Sequence, residues 1–211
     1  MATRARGRPA QCAVSDEDLL DAVLQSFGEN GYEGTSVREI ARRLEVSHNL
    51  IPQRFGSKEN LWYAAIDHGF GRIRKDLNRE AETLGSDELL IMRGLISSFI
   101  KINARHPSIL QIINQEASQP GPRLDYVFDR YIKPVRDFGQ AWLTRLAEEG
   151  RIRPVSVSLF YFLMTHGAGG MLALPALTKR LSKGATPQSK LSVQEEAQTA
   201  VEIFFDGLLP R

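Results

Sequence analysis

Cysteine is almost absent: Cys12 is the single one in 211 residues, which excludes an internal disulfide framework and any multi-cysteine zinc site and fits a reducing cytoplasm. Charge of one sign is not in excess, because 27 Lys and Arg against 25 Asp and Glu leave a formal net charge of +2. Any affinity for nucleic acid must therefore come from local clusters. Long apolar runs are missing too. The longest, Leu159 to Met164, falls far short of the roughly 20 residues that span a bilayer. The basic first residues lack the apolar segment of a secretory signal, so the expectation is a cytoplasmic chain, neither exported nor inserted in a membrane. Histidines at 48, 68, 106 and 166 form no Glu-x-x-His pair or His-Glu-x-x-His motif, and no Gly-rich phosphate loop follows a strand. No metal, cofactor or enzymatic activity is expected. A 42% hydrophobic content is ample for a buried core.

Apolar residues recur at helical spacing throughout, and no alternating strand pattern exceeds a few residues, which predicts an all-α chain. Residues 1–14 lack periodicity and read as a basic arm carrying Arg4, Arg6 and Arg8. Ser15 with Asp18 opens a helix through Leu19, Val23, Leu24 and Phe27, closed by Gly28 and Gly31. Ser36 with Glu39 caps a second, short helix through Ile40 and Ala41. A third is expected from His48 to Phe55, and a fourth from Ser57 to about Leu84. Further helices are expected from a Ser86-Asp87-Glu88 cap to His106, from Pro107 to about Gln119, and from Arg123 to Glu149 with a kink at Pro134. Pro154 to Leu181 reads as an apolar helix broken near Pro175, Ser182 to Ser192 as an exposed loop, and the end as a helix through Ala197, Val201, Phe204, Phe205 and Leu208. The expected division is an arm at 1–14, a first helical unit at 15–70 and a larger helical unit at 71–211.

Two short helices joined by a tight turn must cross closely, which requires small or apolar residues at the crossing. Ala41, Val46 and Ile51, five apart, supply them at helix-turn-helix spacing, although an ordinary helical hairpin has the same requirement. The flanks separate the two readings. Phe27-Gly28-Glu29-Asn30-Gly31-Tyr32-Glu33-Gly34-Thr35-Ser36-Val37-Arg38-Glu39-Ile40-Ala41, then Val46-Ser47, then Phe55-Gly56-Ser57-Lys58-Glu59-Asn60-Leu61, resemble in order the DNA-binding domain of the TetR family of transcriptional regulators. Residues 72–211 resemble that family only in helical plan. The resemblance implies a homodimeric repressor that binds double-stranded DNA at a near-palindromic operator. It also implies a four-helix dimer interface from the last two helices of each subunit, and release by a small-molecule effector. A helical protein-binding adaptor and a helical-bundle enzyme are the rival readings, and the arginine arm speaks against the adaptor.

His48, Asn49 and Gln53 are the polar candidates for base edges, Gln and Asn being suited to paired contacts on adenine. Arg54 and Lys58 are candidates for phosphate, with Ser36 and Arg38 anchoring the second helix. For any one of these, plain solvated surface is the bland alternative. Pro52 stands where the family commonly has tyrosine. If Ser47 caps the recognition helix, Pro52 falls in the second turn and should kink it; if Asn49 caps, Pro52 falls harmlessly in the first turn. Glu45 stands where the turn often has glycine, and Leu50 where threonine is usual. In the arm, Arg6-Gly7-Arg8-Pro9 resembles the AT-hook core, which implies minor-groove contact.

Beyond residue 86, bulky residues exceed what a minimal bundle requires. Phe99, Ile112, Tyr126, Phe138, Trp142 and Phe162, with polar Asn103, Glu116 and His166 among them, are candidates to line a pocket for an apolar or aromatic effector. For each, a satisfied core or surface residue is the alternative. Gly167, Gly169 and Gly170 would permit close approach of a second copy.

Overall fold

The computed structural model describes residues 14–181 and 190–210, and every regular element among them is a helix. Helix α1 (Asp16–Gly34) starts where the Ser15 hydroxyl accepts the Asp18 amide at 3.0 Å. It runs past both glycines expected to close it. Gly28 is helical and buried, whereas Gly31, at φ 72°, kinks the helix without ending it. The chain is pinned just beyond by the Thr35 hydroxyl, which donates toward the carbonyls of Ser26 and Gly31. Helix α2 (Val37–Arg43) and helix α3 (Leu50–Phe55) follow, then α4 (Lys58–Ala81), whose Ser57 cap accepts the Asn60 amide at 3.0 Å.

Helix α5 (Glu88–Arg105) is capped by Asp87, and α6 (Pro107–Glu116) opens on its proline as expected. The kink expected at Pro134 takes a specific form. Helix α7 (Pro122–Val127) and helix α8 (Lys133–Glu148) are joined by a π-turn over Phe128–Ile132. The wider turn lies immediately before the ring and accommodates the carbonyl that proline leaves without a donor. The apolar helix expected after Pro154 divides into α9 (Val157–Phe162), a π-turn (Leu163–Ala168) and α10 (Gly170–Ala173), breaking at Leu174 before α11 (Pro175–Leu181). Helix α12 (Lys190–Leu208) ends the chain. The arm with Arg4, Arg6 and Arg8 and most of the loop expected after Ser182 lie outside the described residues.

The core crosses the expected boundary at residue 70, which falls inside α4. One apolar cluster runs from Leu19, Val23 and Phe27 through Ile40, Ala41 and Ile51 to Leu61, Trp62 and Ile66, and continues into Ile102, Ile109, Ile112 and Val127. A second cluster, around Met92, Ile96, Leu143, Leu146 and Val201, joins α5, α8 and α12. Among the described residues no helix is long and apolar enough to cross a membrane.

Candidate nucleic-acid interface

The crossing of α2 and α3 is built as its spacing requires. Ala41 and Ile51 are buried, Val46 is half-buried, and the Val46 amide donates to the Ala41 carbonyl at 3.0 Å, closing the turn. Glu45 occupies the left-handed region, φ 55°, which accounts for the usual glycine there: a side chain costs about 1 kcal/mol in that conformation.

Of the two positions open for the cap of the third helix, Asn49 is the one that directly precedes it, and its side chain makes no capping hydrogen bond. Helix α3 begins at Leu50, so Pro52 lies in the first turn, where its missing amide has no intrahelical partner to lose, and no kink results. The Ser47 hydroxyl instead accepts the Asn49 amide at 3.4 Å, ordering the approach to the helix. Helix α3 therefore starts after His48 and Asn49, both exposed, and carries Gln53 and Arg54 on its exposed surface.

Ser36 and Arg38 are also exposed, with the Ser36 hydroxyl accepting the Glu39 amide at 3.4 Å as cap of α2. Two cations are less free than sequence indicates. Arg54 pairs with Asp16 at 2.5 Å, and the Lys58 ammonium lies 4.6 Å from the centre of the Tyr32 ring while donating to the Glu33 carbonyl at 3.4 Å. The Arg123 guanidinium lies 3.9 Å from the same ring, tying α7 to the end of α1. Partners so distant in sequence leave no local signal.

The effector candidates meet several different partners. Ile112 is in the core, and buried Asn103 donates to the Phe99 carbonyl. Glu116 pairs with Arg123 at 2.9 Å. The Tyr126 hydroxyl donates to Asp67 at 2.6 Å, beside that of Tyr131 on the same oxygen. Burial and the carboxylate raise both phenol pKa values, that of Tyr131 to about 12. Phe138 packs on half-buried Trp142 yet stays largely exposed, as do Phe162 and His166.

The family description "Bacterial regulatory proteins, tetR family" matches residues 19–65, the stretch holding most of α1, all of α2 and α3, and the start of α4. Residues 19–65 thus carry a TetR-family DNA-binding domain. The chain is a DNA-binding transcriptional regulator. It is 27% identical over 194 residues to the HTH-type transcriptional repressor AcnR of Corynebacterium efficiens, across 89% of this chain and 92% of that protein. Its fold is that of the ketosteroid transcriptional regulator KstR2 of Mycobacterium tuberculosis, with TM-score 0.66 and 24% identity across 95% of this chain and 98% of the other. It is also that of AibR, solved with isovaleryl coenzyme A and operator DNA, with TM-score 0.68 and 21% identity across 89% and 96%.

Proposed function

We propose that this protein is a homodimeric repressor acting in the cytoplasm, which reads a near-palindromic operator with α3 and leaves it when a small effector binds. The observation that carries the reading is the braced, exposed recognition unit: Ala41 and Ile51 lock α2 against α3, while His48, Asn49 and Gln53 remain at the surface. In this reading Gln53 and Asn49 contact base edges, Arg54, Lys58, Ser36 and Arg38 contact backbone, and the arm with Arg4, Arg6 and Arg8 follows an adjacent minor groove. Residues 15–70 form the DNA-binding unit and 71–211 the ligand and dimer unit.

A single module reads too few base pairs to be selective, so two copies are needed. Leu159 and Phe162 on α9, Leu163 at the start of the following π-turn and Ile203 on α12 stand between 43% and 69% exposed, an apolar surface that supports pairing of these helices with a second copy. An effector that favours the dimer geometry unable to span both half-sites lowers operator affinity by its differential affinity. AibR carries both an acyl coenzyme A and operator DNA, which supports an effector-controlled reading here. Helix α4, about 36 Å long at 1.5 Å per residue, runs from the recognition unit into the ligand unit and is the proposed lever. Cross-linking it to the ligand unit is expected to abolish effector response while DNA binding survives.

The test is selection of bound fragments from genomic DNA by the purified chain, followed by titration of the best fragment at two salt concentrations. A shared near-palindrome with a steep salt slope is expected. Weak binding indifferent to sequence would overturn the repressor reading.

A further inference from the structure

A cleft of about 470 Å³ opens where α1 meets the corner between α5 and α6, and none of the residues expected to hold an effector lines it. Its volume lies within the roughly 300–1,000 Å³ typical of ligand sites. Its lining mixes apolar surface from Leu24, Ile109 and Pro107 with polar groups: α1 contributes Asp21, Gln25 and Glu29, α4 contributes Arg72, and the α5–α6 corner contributes Arg105 and Ser108.

Of the two lining acids, Asp21 is paired with cations, whereas Glu29 accepts from the Gln25 side-chain amide at 2.8 Å. The Arg72 guanidinium bonds both oxygens of Asp21, and His68 lies 2.9 Å from the same carboxylate. Asp76 lies 3.5 Å from Arg105 and 3.7 Å from His106. The two guanidiniums keep capacity. Arg105 meets Asp76 through one nitrogen at the outer limit of a hydrogen bond and is 53% exposed, and each guanidinium carries five N–H donors. The amino end of α6 has no side-chain cap, and its first-turn residues Ser108 and Ile109, whose amides have no intrahelical acceptors, line the same corner.

We propose that this cleft is an effector site for a small polar anion, a carboxylate or a phosphate. Arg72 and Arg105 hold its charge, and Gln25 and Glu29 accept from a hydroxyl or amine on the same molecule. The proposal deepens the effector reading above, and rests on it only for the consequence for DNA. An anion that recruits Arg72 competes with Asp21 for the contact tying α1 to α4, so binding in the cleft weakens operator binding.

Calorimetric titration of the full chain without DNA, using inorganic phosphate and succinate as probes at constant ionic strength, tests the site. At least one probe is expected to bind with Kd below about 1 mM. Arg105→Gln should weaken that binding about tenfold, the worth of a charge-assisted hydrogen bond. Gln25→Glu, a surface change that places a further carboxylate in the cleft, should weaken it as well, and Arg74→Gln, elsewhere on α4, should not. Response to phosphate alone assigns a phosphorylated ligand, and response to succinate alone a carboxylate. Failure of both probes, or equal binding by wild type and the two cleft variants, overturns the site. Because no DNA is present, that result leaves the repressor reading standing. A bound anion that leaves the operator Kd unchanged overturns the linkage through Asp21.

Discussion

Gln115 donates its side-chain amide to the backbone carbonyl of Gly28 at 2.8 Å, joining α6 to α1 across 87 residues of sequence. The approach behind it is close. A β-carbon at Gly28 would lie 2.7 Å from the Gln111 Oε1 and 3.1 Å from the Ser108 backbone, and one at Gly69 on α4 would lie 2.5 Å from the Ile109 Cδ1. Helix α6 is therefore seated on two glycines, one on each helix that supports the recognition unit. A shift of α6 has little free space in which to be absorbed before it reaches α1 and α4.

Gly69→Ala tests that seating. The added methyl would also meet the Ile109 Cγ1 at 2.9 Å, so a loss of about 1–3 kcal/mol is expected in denaturant unfolding. Gly71→Ala, two residues on in the same helix, meets nothing within 4 Å and should gain about 0.5–1 kcal/mol from helix propensity. Equal effects at the two sites would refute the close packing.

Glu45→Gly removes a side chain from a left-handed position and a carboxylate from the helix-turn-helix. We expect a gain of about 0.5–1 kcal/mol in stability and tighter DNA binding at low salt. A melting temperature below that of wild type would contradict the strain at this turn.

Gln53→Ala should relax preference at one operator position by about 1–3 kcal/mol, while Lys58→Ala should weaken all sequences about equally. Since Lys58 also packs on Tyr32, its variant should melt lower than wild type, whereas exposed Gln53 should not. Competition binding against single-base operator variants separates the roles, and matching profiles for the two variants would count against the proposed contacts.

Stability should fall as acid is added, in two stages. Burial, reinforced by the nearby Arg72, lowers the His106 pKa, so below about 6.5 the unfolded chain takes up the proton first and the folded state loses ground until its own histidine titrates. Burial raises the Asp21 pKa, but hydrogen bonds from Arg72 and His68 outweigh it and leave the group lowered. Its contribution is fully present above about pH 4 and is lost as pH falls through the lowered folded value. Melting temperatures of wild type and His106→Gln should diverge between pH 7 and 5. Parallel curves would remove His106 from the account.

Phe162→Ser removes an exposed aromatic residue from the proposed dimer surface. Light scattering should show a shift toward monomer with the fold retained, and operator affinity should fall with it. A variant that remains dimeric would move the interface elsewhere.

The amino-acid sequence by itself determined the helical class, the caps at Ser15, Ser36 and Ser57, and the crossing at Ala41, Val46 and Ile51, because each depends on neighbours within a few residues. It left the cap of α3 open between Ser47 and Asn49, since both offer the same chemistry and only backbone placement distinguishes them. Tertiary structure alone decided that Arg54 is shared with Asp16, that Lys58 lies against Tyr32, and that Asp21, Arg72, Arg105 and Ser108 meet in one cleft. Those groups are separated by tens of residues and carry no common periodicity. Their meeting follows from how α1, α4 and α6 pack, and that packing is set by the space left at Gly28 and Gly69.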